Sequence, residues 1–420
     1  MSAPAWPGCG ARCGWPRAAD AAQPGAPGVT RTSTVAALAA PLAAGAALMS
    51  GIGLARFGYV PLFPAMVAAG WVGGGGAGML GACNFTGYLL GALGGRTLGR
   101  RLGVPAAMDL GMALVVLSFL ACAWQGGLGW LALWRVVAGL AGGLLMALAG
   151  PAAQAVVPPA RRALAGGVLT SGVGCGVVVG ALAVPALLSG GGVPWAWLGL
   201  AALAALAWAL ARPRWPDPPP ETLALPRDLR IPPAWGLMTA YGLSAAGMVA
   251  PMVYTADLAV RGHAAGPALV SLLWVLFGIG GFAGTLAGGA ASARLGAMPA
   301  MAVWLVVQVA ALSAALVPPG LGDAAILLAA PLSGFAGIGI SAVALAATRE
   351  RAGAASGALW VRATAVYALA QAGFGFALAA LFRWSGEAHA SVFGAGLVLS
   401  LVGLGVAVGC VVWGRGRSGE

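Results

Sequence analysis

The chain has 420 residues, 60% of them hydrophobic and only 8% charged, with a mean hydropathy of +0.92. A soluble domain carries roughly 25% charged residues, so a soluble enzyme and a DNA-binding protein are excluded and the apolar excess must face lipid. The net charge of +12 rests on 22 basic residues, all arginine. They cluster between apolar runs, as loops on one side of a membrane do, and no nucleic-acid partner is expected.

Residues 1–32 are rich in Pro, Gly and Ala and lack the apolar centre of a signal peptide. They read as a disordered cytoplasmic tail, or as the product of an over-extended start. Twelve apolar spans follow, at 35–67, 78–98, 104–124, 128–154, 163–188, 193–211, 233–259, 267–293, 298–317, 321–347, 354–381 and 391–413. A spanning helix needs about 20 residues. The first span is longer and contains Pro41, Pro61 and Pro64, so it is expected to bend or to end before residue 67. A proline-rich linker of mixed charge, 212–232, divides the spans six and six. It separates bundles at 33–211 and 233–413, and a short cytoplasmic tail at 414–420 ends the chain.

With the N-terminus inside, seventeen arginines fall in inner loops and two, Arg261 and Arg383, in outer loops. That bias puts both termini in the cytoplasm of a bacterial inner-membrane, multi-pass protein. Cys83, Cys122, Cys175 and Cys410 lie in spans, where cysteine packs as a small residue. Cys9 and Cys13 have no partner histidines, and His263 and His389 sit in separate loops. No metal, disulfide framework or cofactor is expected.

The two halves repeat. Residues 91–108 and 284–301, offset by 193, share eight of eighteen positions, and 48–61 shares six of fourteen with 237–250. Gly139 and Gly142 correspond to Gly334 and Gly337. The chain is therefore a tandem duplication of a six-helix unit. Six is even, so both copies point the same way, and parallel halves enclosing a midplane site are a transporter architecture. Some of the glycines fall in stripes along single helices. Gly87, Gly91, Gly95 and Gly99 recur every fourth residue, as do Gly172, Gly176 and Gly180, and Gly280, Gly284 and Gly288. Such stripes let neighbouring backbones approach closely, as fixed packing or as a sliding surface.

The loop GALGGRTLGRRLG (91–103) resembles the signature between the second and third helices of the major facilitator superfamily (MFS). Gly91, Arg96, Arg100 and Arg101 fit it, while Gly95 replaces the expected acidic residue. LALWRVVAGLAGG (131–143) resembles the family's Arg-x-x-x-Gly motif through Arg135 and Gly139. GIGLARFGYVPLFPAM (51–66) and CNFTGYLLGAL (83–93) more narrowly resemble the bacterial YbfB/YjiJ-like branch. SGVGCGVVVGALAVP (171–185) partly resembles the drug/proton antiporter motif, with Ala181 in place of its proline. The resemblance implies an all-α polytopic membrane protein, with twelve helices in two pseudo-symmetric bundles and alternating access.

Arginine within a membrane normally faces a cavity or a partner. Arg56 lies ~18 Å from the outer end of the first span, at 1.5 Å per residue, with Tyr59 at i+3. It either lines the central cavity beside Tyr59 or pairs with carbonyls at the Pro61 bend. Arg135 serves proton transfer or cavity polarity by resemblance, or else snorkels beside Trp130 and Trp134. Arg362, followed by Tyr367 and Gln371, lines the cavity or reaches the inner headgroups. Asn84 and Tyr88 share a face and complete the expected lining. Asp109 is expected to pair with Arg100 and Arg101, and Asp257, beside Arg261, is a gating candidate. No acid lies near the middle of a span, which disfavours coupling through a midplane carboxylate.

The expectation is a monomeric secondary transporter or facilitator of a small polar or anionic, organic-acid-like solute, with H+ as a candidate coupling partner. A proton-coupled multidrug or metabolite efflux antiporter is the alternative. A non-transporting receptor or sensor would usually carry a soluble output domain. An enzyme would need a catalytic constellation, and none is found.

Overall fold

The computed structural model describes residues 34–158, 161–223, 231–319 and 323–416. The expected tail at 1–32 lies outside the described residues, as do 224–230 of the linker and the chain end at 417–420. Every regular element among the described residues is helical.

The first span opens as α1 (Thr34–Leu48), changes to a π-helix at Met49–Phe57 and continues past Gly58 as α2 (Tyr59–Ala68). Helices α3 (Gly74–Leu102), α4 (Val104–Cys122) and α5 (Gly127–Ala155) follow. Helix α6 (Arg162–Ala211) holds two spans, because Gly191 and Gly192 leave helical geometry within it. Short 3-10 turns at Arg212–Arg214 and Pro220–Leu223 begin the linker.

The second half opens with α7 (Trp235–Gly247), α8 (Val249–Asp257) and a π-helical turn at Leu258–Gly262. It continues with α9 (Pro267–Leu295), α10 (Ala297–Ala315), α11 (Ala324–Ala352), α12 (Ser356–Trp384) and α13 (His389–Gly416). Nine stretches of the described residues are long and apolar enough to cross a membrane, and two of these, Leu164–Arg214 and Ala324–Trp384, contain a backbone break that divides them. Helix α3 is just as long as α5, but its glycines dilute its hydropathy. This arrangement is consistent with twelve crossings.

The repeat is built into the backbone. Helices α3 and α9 are both 29 residues long, and α4 and α10 are both 19. Each long helix stops at a glycine with positive φ, Gly103 at +83° and Gly296 at +84°. Only glycine takes that conformation without steric cost, so one device reverses the chain in both copies.

The glycine stripes are backbone seams. A Cβ on Gly87 or Gly91 would strike the Val136 or Leu140 carbonyl of α5, and one on Gly139 would strike the Asn84 carbonyl. Gly280 and Gly284 of α9 meet α11 at the carbonyls of Pro331 and Phe335 in the same way. Gly95 faces the Ala147 side chain.

Leucine, isoleucine and valine side chains such as Leu117, Leu206, Ile279, Val306 and Val402 are exposed on the outer faces of the helices. Trp235 and Trp413 project at one end and Trp124, Trp195 and Trp384 at the other, as aromatic belts do at membrane interfaces. One end carries Arg100, Arg101, Arg212, Arg294 and Arg351 and is called the arginine-rich end below. The largest apolar core runs through both halves towards the opposite end, where Phe63 and Trp197 of the first half join Tyr254 and Phe382 of the second. A separate core around Tyr241, Trp304 and Tyr367 fills the second half towards the arginine-rich end. The halves are thus fused at one end and parted at the other.

Candidate functional site

The parting is a cleft of about 290 Å3. Helices α3 and α5 form one wall and α11 and α12 the other. Its polar lining consists of Arg96, Gln154, Arg349 and Thr364, with Tyr88 and Trp360 as the aromatic surfaces. Among the described residues, no acid lines it. Thr364 Oγ1 is buried and has no hydrogen-bond partner among the described residues.

Arg56 lies behind Tyr88. Its guanidinium carbon stands 4.4 Å from the Tyr88 ring centroid and 4.8 Å from that of Phe85. Nη1 donates to Gln371 Oε1 of the second half at 3.3 Å, while Nη2 has no hydrogen-bond partner among the described residues. Gln371 Nε2 in turn reaches Met252 Sδ at 3.4 Å. Arg56, Tyr88 and Gln371 therefore come together where the halves meet, as a cation between two aromatic faces, which such faces favour.

Three other expected lining residues lie inside the first half. Tyr59 donates to the Ala77 carbonyl at 2.7 Å and stacks on Trp197, with 1% of its surface exposed. The i+3 spacing from Arg56 does not place the two on one face, because Arg56 lies in a π-helix that ends at Phe57 and Tyr59 starts a new α-helix. Arg135 is equally buried; its Nη1 donates to the Ala55 carbonyl at 2.7 Å, and its guanidinium carbon lies 4.4 Å from the Tyr59 ring. The π-helix supplies that carbonyl, so Arg135 braces an irregular backbone instead of snorkelling. Asn84 Nδ2 donates to the Arg135 carbonyl at 3.4 Å and knits α3 to α5 across the glycine seam. Arg362 is exposed and does not join the cleft, although Trp360 and Thr364 on the same helix do.

Asp109 has partners other than those expected. It accepts from Trp208 Nε1 at 2.6 Å, Trp215 Nε1 at 2.9 Å and Arg212 Nε at 3.2 Å. Arg100 and Arg101 are exposed at the end of α3. Asp109 is thus a clasp for the start of the linker, because α4 packs against the end of α6 at this level.

The closed end carries a charged cluster. Asp257 is fully buried and accepts from Arg261 Nε at 2.7 Å and Nη2 at 2.6 Å. His389 Nε2 lies 2.8 Å from Asp257 Oδ2. Arg261 Nη1 also donates to Glu387 Oε2 at 2.6 Å, and Glu387 Oε1 accepts from the Gly75 N–H of the first half at 3.1 Å. Tyr254 presses on Phe63 and against Gly78 at the same level. Trp274 Nε1 donates to the Phe57 carbonyl at 2.9 Å, adding a further link between the halves.

Sequence spacing gave no sign of Glu387 and His389, which sit more than a hundred residues from Asp257. Arg349 counted as a loop cation, but α11 runs on to Ala352, so Arg349 belongs to the wall of the cleft. Among the described residues no group of His, Cys, Asp and Glu could hold a metal ion.

Residues 48–408 match the family described as "Uncharacterised MFS-type transporter YbfB". Among curated proteins none matches. Among solved structures, a bacterial homolog of the human lysosomal transporter Spinster, in an inward-facing and unoccupied conformation, has a TM-score of 0.61 at 16% identity. The alignment covers 90% of this chain and 96% of that one, and it shows the shared fold. The chain belongs to the YbfB-like family of MFS transporters: it is a multi-pass membrane protein that binds and carries small molecules.

Proposed function

We propose that the protein carries a small organic anion across a bacterial inner membrane by alternating access, and that its cleft opens to the cytoplasm. The observation that carries this reading is a cleft lined by two arginines and no carboxylate, closed at its far end by contacts between the halves. A cation cargo would be repelled by Arg96 and Arg349, with no carboxylate among the described lining residues to offset them. The arginine bias supports a cytoplasmic mouth and cytoplasmic termini. The Spinster homolog that shares the fold is itself described as inward-facing and unoccupied.

Access alternates when the halves rock about the middle. The glycine seams keep α3 on α5 and α9 on α11 as rigid pairs, so movement falls between the halves rather than within them. Arg56 and Gln371 meet across that boundary. Their single hydrogen bond, at 3.3 Å, costs little to break as the halves rock.

The test is thermal unfolding of the purified protein with organic acids, sugars, amino acids and lipophilic cations. A ligand that binds only the folded state stabilises it by ~2.7 kcal/mol at a hundred times its dissociation constant. Organic acids are expected to stabilise the wild type and to lose that effect in Arg96→Gln/Arg349→Gln. Stabilisation by lipophilic cations alone, unchanged in the double variant, would overturn the anion reading.

A further inference from the structure

The cleft is polar at its mouth and apolar at depth. At ~1.5 Å per residue, Gln154, Arg349, Trp360 and Arg96 all lie within ~10 Å of the arginine-rich ends of their helices. Tyr88, Met146 and Leu345 lie deeper. Thr364, ~12 Å from the start of its helix, supplies the one hydroxyl among the described residues of the second-half wall. The next cation inward, Arg56, is screened by the Tyr88 ring. An anionic group at the mouth therefore finds two guanidinium groups, whereas a second carboxylate pushed inward would lose its hydration against methyl and methylene groups with no cation to replace it.

Resting on the anion reading, we propose that the cargo is an amphipathic monoanion. Its one carboxylate is held by Arg96 and Arg349, and an apolar or aromatic body inserts between Met146 of one wall and Leu345 and Trp360 of the other, towards Tyr88. Guanidinium forks suit a carboxylate in two-point contact. The flat faces of Trp360 and Tyr88 suit a ring or an alkyl chain. The cleft is large enough for a ring with a short tail, and a small hydrophilic diacid would leave its deep half unfilled.

The test measures equilibrium binding by the full-length protein in lipid nanodiscs, with empty nanodiscs subtracted. The probes are acetate, butyrate, hexanoate, benzoate, 3-phenylpropionate, succinate, citrate and benzamide. Affinity is expected to rise from acetate to hexanoate by up to roughly fourfold for each buried methylene. 3-Phenylpropionate should bind more tightly than succinate or citrate, and benzamide should not compete with benzoate. Trp360→Ala should weaken 3-phenylpropionate by about tenfold and leave acetate unchanged, while Trp360→Phe should restore binding. Should Trp360→Ala fail to fold, Leu345→Ser serves in its place with the same expected loss.

Succinate or citrate binding more tightly than 3-phenylpropionate would overturn the amphipathic cargo and leave the anion reading standing. Benzamide binding as well as benzoate, with no loss in Arg96→Gln/Arg349→Gln, would overturn both.

Discussion

Arg261 grips Asp257 one helical turn away through two hydrogen bonds of 2.7 and 2.6 Å, and the carboxylate it holds has no exposed surface. The same guanidinium reaches Glu387, which accepts from the N–H of Gly75 in the other half. An ion pair within the second half, its carboxylate buried, thereby positions the carboxylate that fastens the first. Arg261 is partly exposed and His389 Nε2 also lies 2.8 Å from Asp257 Oδ2, so removing Arg261 should cost less than the ~3–5 kcal/mol of a fully buried pair. Arg261→Ala is accordingly expected to lower the unfolding midpoint. Glu387→Ala strands no buried charge and should loosen only the contact between halves. Amide hydrogen exchange at Gly75–Gly78 should then rise while exchange within α5 stays unchanged; unchanged exchange at Gly75 would show that Glu387 does not fasten this end.

The glycine seam makes a paired prediction one turn wide. A Cβ at Gly91 would strike the Leu140 carbonyl, whereas one at Gly94 meets nothing within 4 Å. Gly91→Ala should cost about 1–3 kcal/mol through overpacking against rigid backbone. Gly94→Ala should be neutral or slightly stabilising, since alanine is the better helix former. Equal effects in thermal unfolding would show that the seam is not tight.

Arg135 is expected to act on stability and not on cargo. Arg135→Met removes a charged donor from the Ala55 carbonyl and should cost about 1.5–3 kcal/mol. The affinity of the folded fraction for 3-phenylpropionate should be unchanged. A loss of affinity at unchanged stability would place Arg135 in the transport path.

Asp109 tests the linker clasp. Asp109→Ala removes the common acceptor of Trp208, Trp215 and Arg212. Tryptophan emission should shift to longer wavelength, and limited proteolysis should cut faster between residues 215 and 223. Cleavage at the wild-type rate would mean that other contacts hold this segment.

The fold was legible in the sequence because its two strongest constraints are one-dimensional. Apolar run length marks a crossing, and the offset of 193 between the matching segments reappears as Gly103 and Gly296, the two positive-φ helix ends. The glycine stripes were legible for a similar reason: spacing of four fixes a helix face wherever the helix is regular. The same rule misplaced Tyr59, because a π-helix lies between it and the regular count. Asn84 was expected in the cavity, and Arg135 either there or snorkelling, because a polar side chain in a span is costly without a partner; here the irregular backbone of the first span accepts from Arg135 Nη1 and the close α3–α5 seam accepts from Asn84 Nδ2. The Asp257, Arg261, Glu387 and His389 cluster was hidden for the opposite reason: loops that return to one end of the bundle assemble it, and local spacing carries no trace of that return.

Counterflow in proteoliposomes tests the central claim most directly, because it reports carrier-mediated exchange whatever the coupling ion. Vesicles containing the protein and loaded with unlabelled 3-phenylpropionate are diluted into a trace of the labelled compound. The account predicts transient, saturable accumulation that disappears in Arg96→Gln/Arg349→Gln and is not competed by lipophilic cations. Accumulation that survives in the double variant, or that lipophilic cations abolish, would contradict an arginine-lined path for organic anions.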